Sequence, residues 1–247
     1  MVDEITRRLA EVEKRIGEAA ERVGRSADDI TLVVVTKTWP AEVVVNAYHA
    51  GARHFGENRP EELAKKRPEV EVVLGKDNGI TWHLIGPCQS RKTNLAADFA
   101  DWFHALDREK VARRLSSRLS DTGKLLPSFF EVNVSGETTK AGFDCRQWEE
   151  NERQRTSLLE AAALIQNLPG IKPEGLMTMA PWVSDESVIR SVFRRTKTLA
   201  SWLQENVAAG GGTWSSLSMG MTDDFEIAVE EGATHVRIGR AILGPRQ

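Results

Sequence analysis

A single (β/α)8 TIM barrel carrying an additional N-terminal helix is the α/β architecture this sequence predicts, on three observations. Eight short apolar runs alternate with helix-like stretches along 247 residues, the rhythm of parallel strands joined by crossover helices. The runs are continuously apolar rather than alternating, as in Leu32–Val35, which suits strands covered on both faces. The length matches one barrel, and a chain of this size buries roughly 70–75% of its unfolded surface without staples. A doubly wound open sheet shares the local rhythm, but its G-x-G-x-x-G fingerprint is absent from the first strand–helix turn. One domain is therefore expected over residues 1–247, with residues 1–25 forming the extra helix packed on the barrel.

Taken in order, Ile5, Leu9, Val12, Ile16, Ala19 and Val23 recur at steps of four and three, one apolar stripe of a helix. Asp3 is placed to cap its start and Gly24 its end. The first strand is predicted at Ile30–Lys37. Pro40 suits the first turn of a helix over Pro40–Ala50, and Gly51 the position just past its end. Strand Arg53–Glu57 precedes helix Arg59–Lys66, strand Thr81–Gly86 precedes helix Gln89–Ala100, and strand Trp102–Leu106 precedes helix Arg108–Leu119. The second half repeats the alternation with strand Ser128–Val134 and helix Gln147–Asn167, then strand Gly175–Met179 and helix Asp185–Glu205. Strand Ser215–Met221, helix Asp223–Glu231 and strand Thr234–Ile238 close it. The run Gly210–Gly212, within AAGGGT, reads as a loop and not a boundary.

Composition narrows the function classes. Thirty-three Lys+Arg against 36 Asp+Glu leave a formal charge of −3, which argues against a polybasic nucleic-acid surface. The N-terminus has no apolar signal segment, and no stretch approaches the ~20 apolar residues of a membrane span; a cytoplasmic protein is expected. Two cysteines, Cys88 and Cys145, cannot build a disulfide framework or a four-thiolate zinc site, so both are expected to be reduced and structural. H-E-x-x-H, C-x-x-C and P-loop motifs are absent and the histidines lack ligand spacing, so no metal is expected. The seven tryptophans are scattered and read as packing anchors.

In a barrel, chemistry belongs at the C-terminal strand ends. Lys37 ends the most apolar run of the chain. A lysine at a dry barrel mouth loses hydration, which disfavours its ammonium form, and a neutral amine can attack an aldehyde. By position alone, a lysine marking the strand's exit into solvent is the commoner case. Ser218-Met219-Gly220 and Gly239-Arg240 follow the seventh and eighth strands, where barrels commonly cradle a phosphate with backbone N–H groups. Arg237 lies on the eighth strand, where a fixed charge is expensive unless paired; a structural salt bridge and a donor to a ligand are both open. His83 alone reads more readily as a satisfied core histidine.

Taken together, VVVTKTWP, HAGARHFGENRPEEL, TWHLIGPCQSRK, EVNVSGETTKAGF, GLMTMAP and LSMGMTDDFEIAVEEGATHVRIGRAILG resemble, in order and from about Ile30 to Gly244, the YggS/PROSC family of pyridoxal phosphate homeostasis proteins. The resemblance implies a barrel like the N-terminal domain of alanine racemases, with pyridoxal 5′-phosphate at its rim. It implies that Lys37 holds the cofactor as an internal aldimine and that Arg237 faces the pyridine nitrogen. Asn58, His83 and Met177 would surround the ring, and Ser218, Met219, Gly239 and the backbone of Arg240 would take the phosphate. The chain departs from the family at Cys88-Gln89-Ser90-Arg91-Lys92, at Thr222 where Ser is frequent, and at Arg240 where Ser or Thr is usual. The implied role is to buffer the cofactor and deliver it to apo-enzymes, as a monomer. A weak amino-acid racemase is the alternative, and a Schiff-base aldolase a more remote one. For a two-base racemase the sequence looks incomplete: its one tyrosine, Tyr48, falls in a predicted helix, and the chain ends soon after the eighth strand.

Overall fold

The computed structural model describes residues 2–137, 140–183, 185–207 and 210–245. Helix α1 (Val2–Glu21) is followed by strand β1 (Thr31–Val35) and helix α2 (Ala41–His49). The first half continues with β2 (His54–Glu57), α3 (Pro60–Leu74), β3 (Thr81–Leu84), α4 (Thr93–Phe99), β4 (Trp102–Leu106) and α5 (Glu109–Thr122). After these come β5 (Leu126–Asn133), β6 (Phe143–Asp144), α6 (Glu152–Ile165), β7 (Ile171–Met177) and α7 (Glu186–Asn206). β8 (Ser216–Ser218), α8 (Phe225–Glu230), β9 (His235–Ile238) and α9 (Arg240–Leu243) complete the chain.

All strand pairs are parallel, in the order β4-β3-β2-β1-β9-β8-β7-β5, and a β4–β5 pairing closes the ring. This is the predicted eight-stranded barrel. β6 is a two-residue extra on β5, with Val132 opposite Phe143; it is too short to carry a periodic signal. Ala208 and Ala209 of AAGGGT lie outside the described residues, and Gly210–Gly212 are irregular as expected.

Helix α1 buries Ile5, Leu9, Val12, Ile16 and Ala19, each large aliphatic contributing about 1.5–3 kcal/mol. Ion pairs Arg15–Glu226 (2.8 Å) and Arg22–Glu230 (2.7 Å) tie this helical region to α8. Val23 does not join the stripe. The helix ends at Glu21 and Val23 stands 43% exposed. Asp3 lies inside the first turn rather than capping it, and Pro40 is the N-cap of α2 rather than its first helical residue.

Two prolines hid element boundaries. α3 runs past Lys66 and through Pro68 to Leu74, although a helix-interior proline forfeits a hydrogen bond. Its far half is held by fully buried Val70 and by Arg67, which donates to Phe99 O at 2.8 Å and Asp101 Oδ1 at 2.9 Å. β7 starts at Ile171, before Pro173, and a register shift skips Glu174 so that Ser128 faces Pro173 and Phe129 faces Gly175.

That shift presses Gly175 against β8. A Cβ at Gly175 would stand 1.8 Å from Ser216 O, a contact only backbone movement can relieve. Gly175→Ala is therefore expected to cost about 3 kcal/mol, the upper end for overpacking, read as a lower denaturant midpoint. A loss under about 0.5 kcal/mol, the range of a neutral surface change, would contradict the close β7–β8 approach.

Cys88 and Cys145 are free and buried, and burial pushes their thiols up to about 11 and about 12. Both are kept as unreactive thiols. Among the described residues, no helix is long and apolar enough to cross a membrane.

Candidate functional site

The C-terminal ends of the strands surround a cleft of about 510 Å³, within the range of small-molecule sites. Lys37, Asn58, Arg237, Gly239 and Arg240 line it, all five singled out in the sequence. Apolar wall comes from Val35, Trp39, Ile85 and Met179, and the loop after β8 adds Met221, Thr222 and Asp223.

Lys37 sits two residues past β1, and the chain there is bolted down. Thr36 Oγ1 donates to Glu57 Oε1 at 2.6 Å. Lys66 Nζ donates to Thr36 O (2.9 Å), Glu57 Oε1 (2.6 Å) and Glu62 Oε1 (3.0 Å). Glu62 also accepts from the Thr38 amide at 2.5 Å. That bond holds Thr38 at φ 69°, a left-handed conformation costly for a β-branched residue. Strain of this kind is stored where a neighbouring side chain must be aimed, here Lys37 at the cleft. Burial pushes the Glu57 carboxyl up to about 7, with Lys66 and Thr36 acting against it.

Arg237 rises from β9 and is 5% exposed. Its guanidinium donates to Ser218 Oγ at 2.6 Å and to Thr178 O at 3.0 Å. No carboxylate among the described residues pairs with it directly, so the structural salt bridge left open by the sequence is not its environment. Burial lowers its pKa to about 10, opposed by Asp224 and Glu131, so it stays cationic at neutral pH.

Four sequence-selected residues lie beneath the cleft instead of on it. His83, Ser218 and Met219 are 0% exposed and Met177 2%. β8 stops at Ser218 and not at Met221. The chain then turns at Gly220, with φ 95° and room for no Cβ, since one would meet Ala228 Cβ at 2.6 Å. That turn carries Thr222 to the rim and leaves Ser218 inside. The available signal was the hydroxyl noted at Thr222, four residues on. Asn58 reaches the cleft because Gly86 lets it: a Cβ there would stand 2.4 Å from Asn58 O. Arg240 turns its guanidinium to Asp223 in a two-pronged pair at 2.9 and 2.8 Å. Its charge is thus matched at the rim by Asp223. Tyr48 is on α2, with Arg53 over its ring at 4.1 Å, and is not among the cleft residues.

A family profile described as alanine racemase, N-terminal domain, matches residues 8–247. The pyridoxal phosphate homeostasis protein of Vibrio alginolyticus is 37% identical over 219 residues, 89% of this chain and 88% of that protein. That of Escherichia coli K12 is 36% identical over 245 residues, 99% of this chain and 98% of its own. Among solved structures, PipY of Synechococcus elongatus with PLP bound superposes with a TM-score of 0.80 at 30% identity, covering 97% of this chain and all of PipY. By sequence over nearly its whole length and by fold, the chain belongs to the pyridoxal phosphate homeostasis protein family, built on the alanine racemase N-terminal domain.

Proposed function

We propose that this protein binds pyridoxal 5′-phosphate in the rim cleft through Lys37 and serves to buffer the cofactor and hand it to apo-enzymes. The observation that carries the reading is the convergence of Lys37 and Arg237 on one cleft. A strand-end amine and a buried cation with no direct carboxylate partner among the described residues suit an aldehyde and an electron-rich ring nitrogen. PipY, solved with this cofactor, and the names of the curated relatives support it.

When bound, the cofactor supplies an aldehyde that condenses with a primary amine and a pyridine ring that withdraws electrons. Lys37 supplies the amine, aimed by the Thr36–Glu57–Lys66 bonds below it. Arg237 can only donate, so a ring nitrogen beside it accepts and is left without a proton of its own. That favours holding the cofactor over driving carbanion chemistry, and Trp39, Ile85 and Met179 offer the ring apolar wall. Enclosure of Ser218 and Met219 moves the proposed phosphate donors to the Thr222 hydroxyl and the amides of the Gly239–Arg240 turn. The form proposed to act is a monomer.

Removing the Thr222 hydroxyl tests the phosphate end. Thr222→Ala should lose one charge-assisted hydrogen bond, about 1.5–3 kcal/mol, or roughly ten- to a hundredfold in affinity. Pyridoxal without phosphate should bind more weakly still. Equal affinity for both forms, unchanged in the variant, would remove the phosphate from this loop. Delivery is read by activating an apo-enzyme with loaded protein while a scavenger consumes free cofactor; no activation would refute the carrier role.

A further inference from the structure

TIM-barrel interiors are dominated by branched aliphatic side chains, and polar groups buried there call for an explanation. This barrel instead carries His54, His83, His104 and His235 inside. Among the described residues no His, Cys, Asp or Glu cluster is arranged to hold a metal. Three of the histidines are joined end to end. His54 Nδ1 lies 3.0 Å from His83 Nε2, His83 Nδ1 lies 2.8 Å from His104 Nε2, and His104 Nδ1 lies 2.7 Å from Ser218 Oγ. The same Ser218 oxygen accepts from Arg237 at 2.6 Å.

Chemistry gives this chain one direction. Arginine has no acceptor, so Ser218 Oγ accepts from Arg237, and its own hydrogen must find an acceptor in a fully enclosed site. His104 Nδ1 is its other side-chain partner. His104 then carries its proton on Nε2 and donates to His83 Nδ1, and His83 likewise donates from Nε2 to His54 Nδ1. Burial holds His83 and His104 well below the ordinary histidine range, so each is neutral and has one donor and one acceptor to place. The last ring, His54, lines a pocket at the opposite end of the barrel beside Thr31 and Arg53.

We propose that His54, His83 and His104 form a one-directional hydrogen-bond relay that, through Ser218, positions Arg237 at the floor of the cleft. His104 and Ser218 are thus positioning residues. Only the cofactor readout of this proposal rests on the function proposed above.

Tautomers are read first, on cofactor-free protein carrying ¹⁵N-labelled histidine, from long-range proton–nitrogen correlations. His54, His83 and His104 should all be protonated on Nε2 with Nδ1 bare. Ser218→Ala should displace the Nδ1 resonance of His104 and, by smaller amounts, those of His83 and His54. In loaded protein the same variant should shift the visible absorption of the cofactor and weaken its binding roughly tenfold. His104→Asn, whose amide oxygen can still accept from Ser218, should retain more affinity than His104→Phe, which cannot. A proton on His104 Nδ1 in the unaltered protein would overturn the relay. So would a Ser218→Ala protein with unmoved histidine resonances and unmoved absorption. If the unaltered protein binds no pyridoxal phosphate, the function proposed above fails, and the tautomer pattern alone decides the relay.

Discussion

Lys37→Ala is expected to abolish covalent capture of pyridoxal phosphate. Borohydride reduction of the loaded wild-type protein followed by digestion should place a pyridoxyl mass on Lys37, and the variant should carry none. Affinity should fall by more than the ten- to hundredfold that a single charge-assisted hydrogen bond, about 1.5–3 kcal/mol, accounts for. Lys66 is an amine held directly below Lys37, but it is 4% exposed. Its three N–H groups are already directed to Thr36 O, Glu57 and Glu62 at 2.6 to 3.0 Å. Lys66 therefore cannot take over. Label on any other lysine of the wild-type protein would refute the assignment of Lys37.

Acid should weaken the fold steeply. Burial holds His83 and His104 well below their ordinary range and His235 down to about 3. As pH falls through roughly 6.5, the unperturbed histidine value, the unfolded chain takes up three protons that these buried rings refuse, which favours unfolding. Glu57 and Glu131 act in the opposite sense. Burial pushes both up to about 7, so the folded protein holds two protons that the unfolded chain releases above its own lower value. Three against two leaves about one proton bound preferentially by the unfolded chain. That difference is reached only at about pH 5.5, because at roughly 6.5 the unfolded histidines are half protonated. The loss of stability should therefore steepen through the window between roughly 6.5 and 5.5 and approach about 1.4 kcal/mol per pH unit at its acid end. His54, also lowered by burial, steepens the loss. Guanidinium midpoints measured across that window check the sign. Stability that stays level or rises toward pH 5.5 would mean that the barrel interior does not hold its histidines neutral.

Much of the site could be read from residue types at strand ends. Lys37, Asn58, Arg237, Gly239 and Arg240 converge because each follows a strand or lies close to its C-terminal end, and a closed parallel barrel delivers all such positions to one rim. Ser218 and Met219 lie below the rim for a local reason. The apolar and small residues from Ser215 to Met221 look like one strand, but β8 is three residues long and Gly220 turns the chain at φ 95°. Depth below the rim depends on where the strand stops, and no linear pattern marks that point. The histidines were legible only as scattered rings. His54, His83 and His104 sit on three different strands, and Ser218, which continues their chain, is 114 residues from His104.

By itself, the sequence determined the alternation of strands and helices, the buried face of α1 and the amine at the end of β1, because these follow from local periodicity and from residue chemistry. Tertiary structure alone decided three things. β4 pairs with β5 to close the ring, α3 survives Pro68 because Val70 and Arg67 are held across a helix interface, and Arg237 faces a serine–histidine chain instead of a carboxylate. The physical reason is common to all three. Each depends on which distant groups meet in a water-free interior, where a hydrogen bond left unmade costs about 1–3 kcal/mol, and that outcome is set by the packing of the whole barrel.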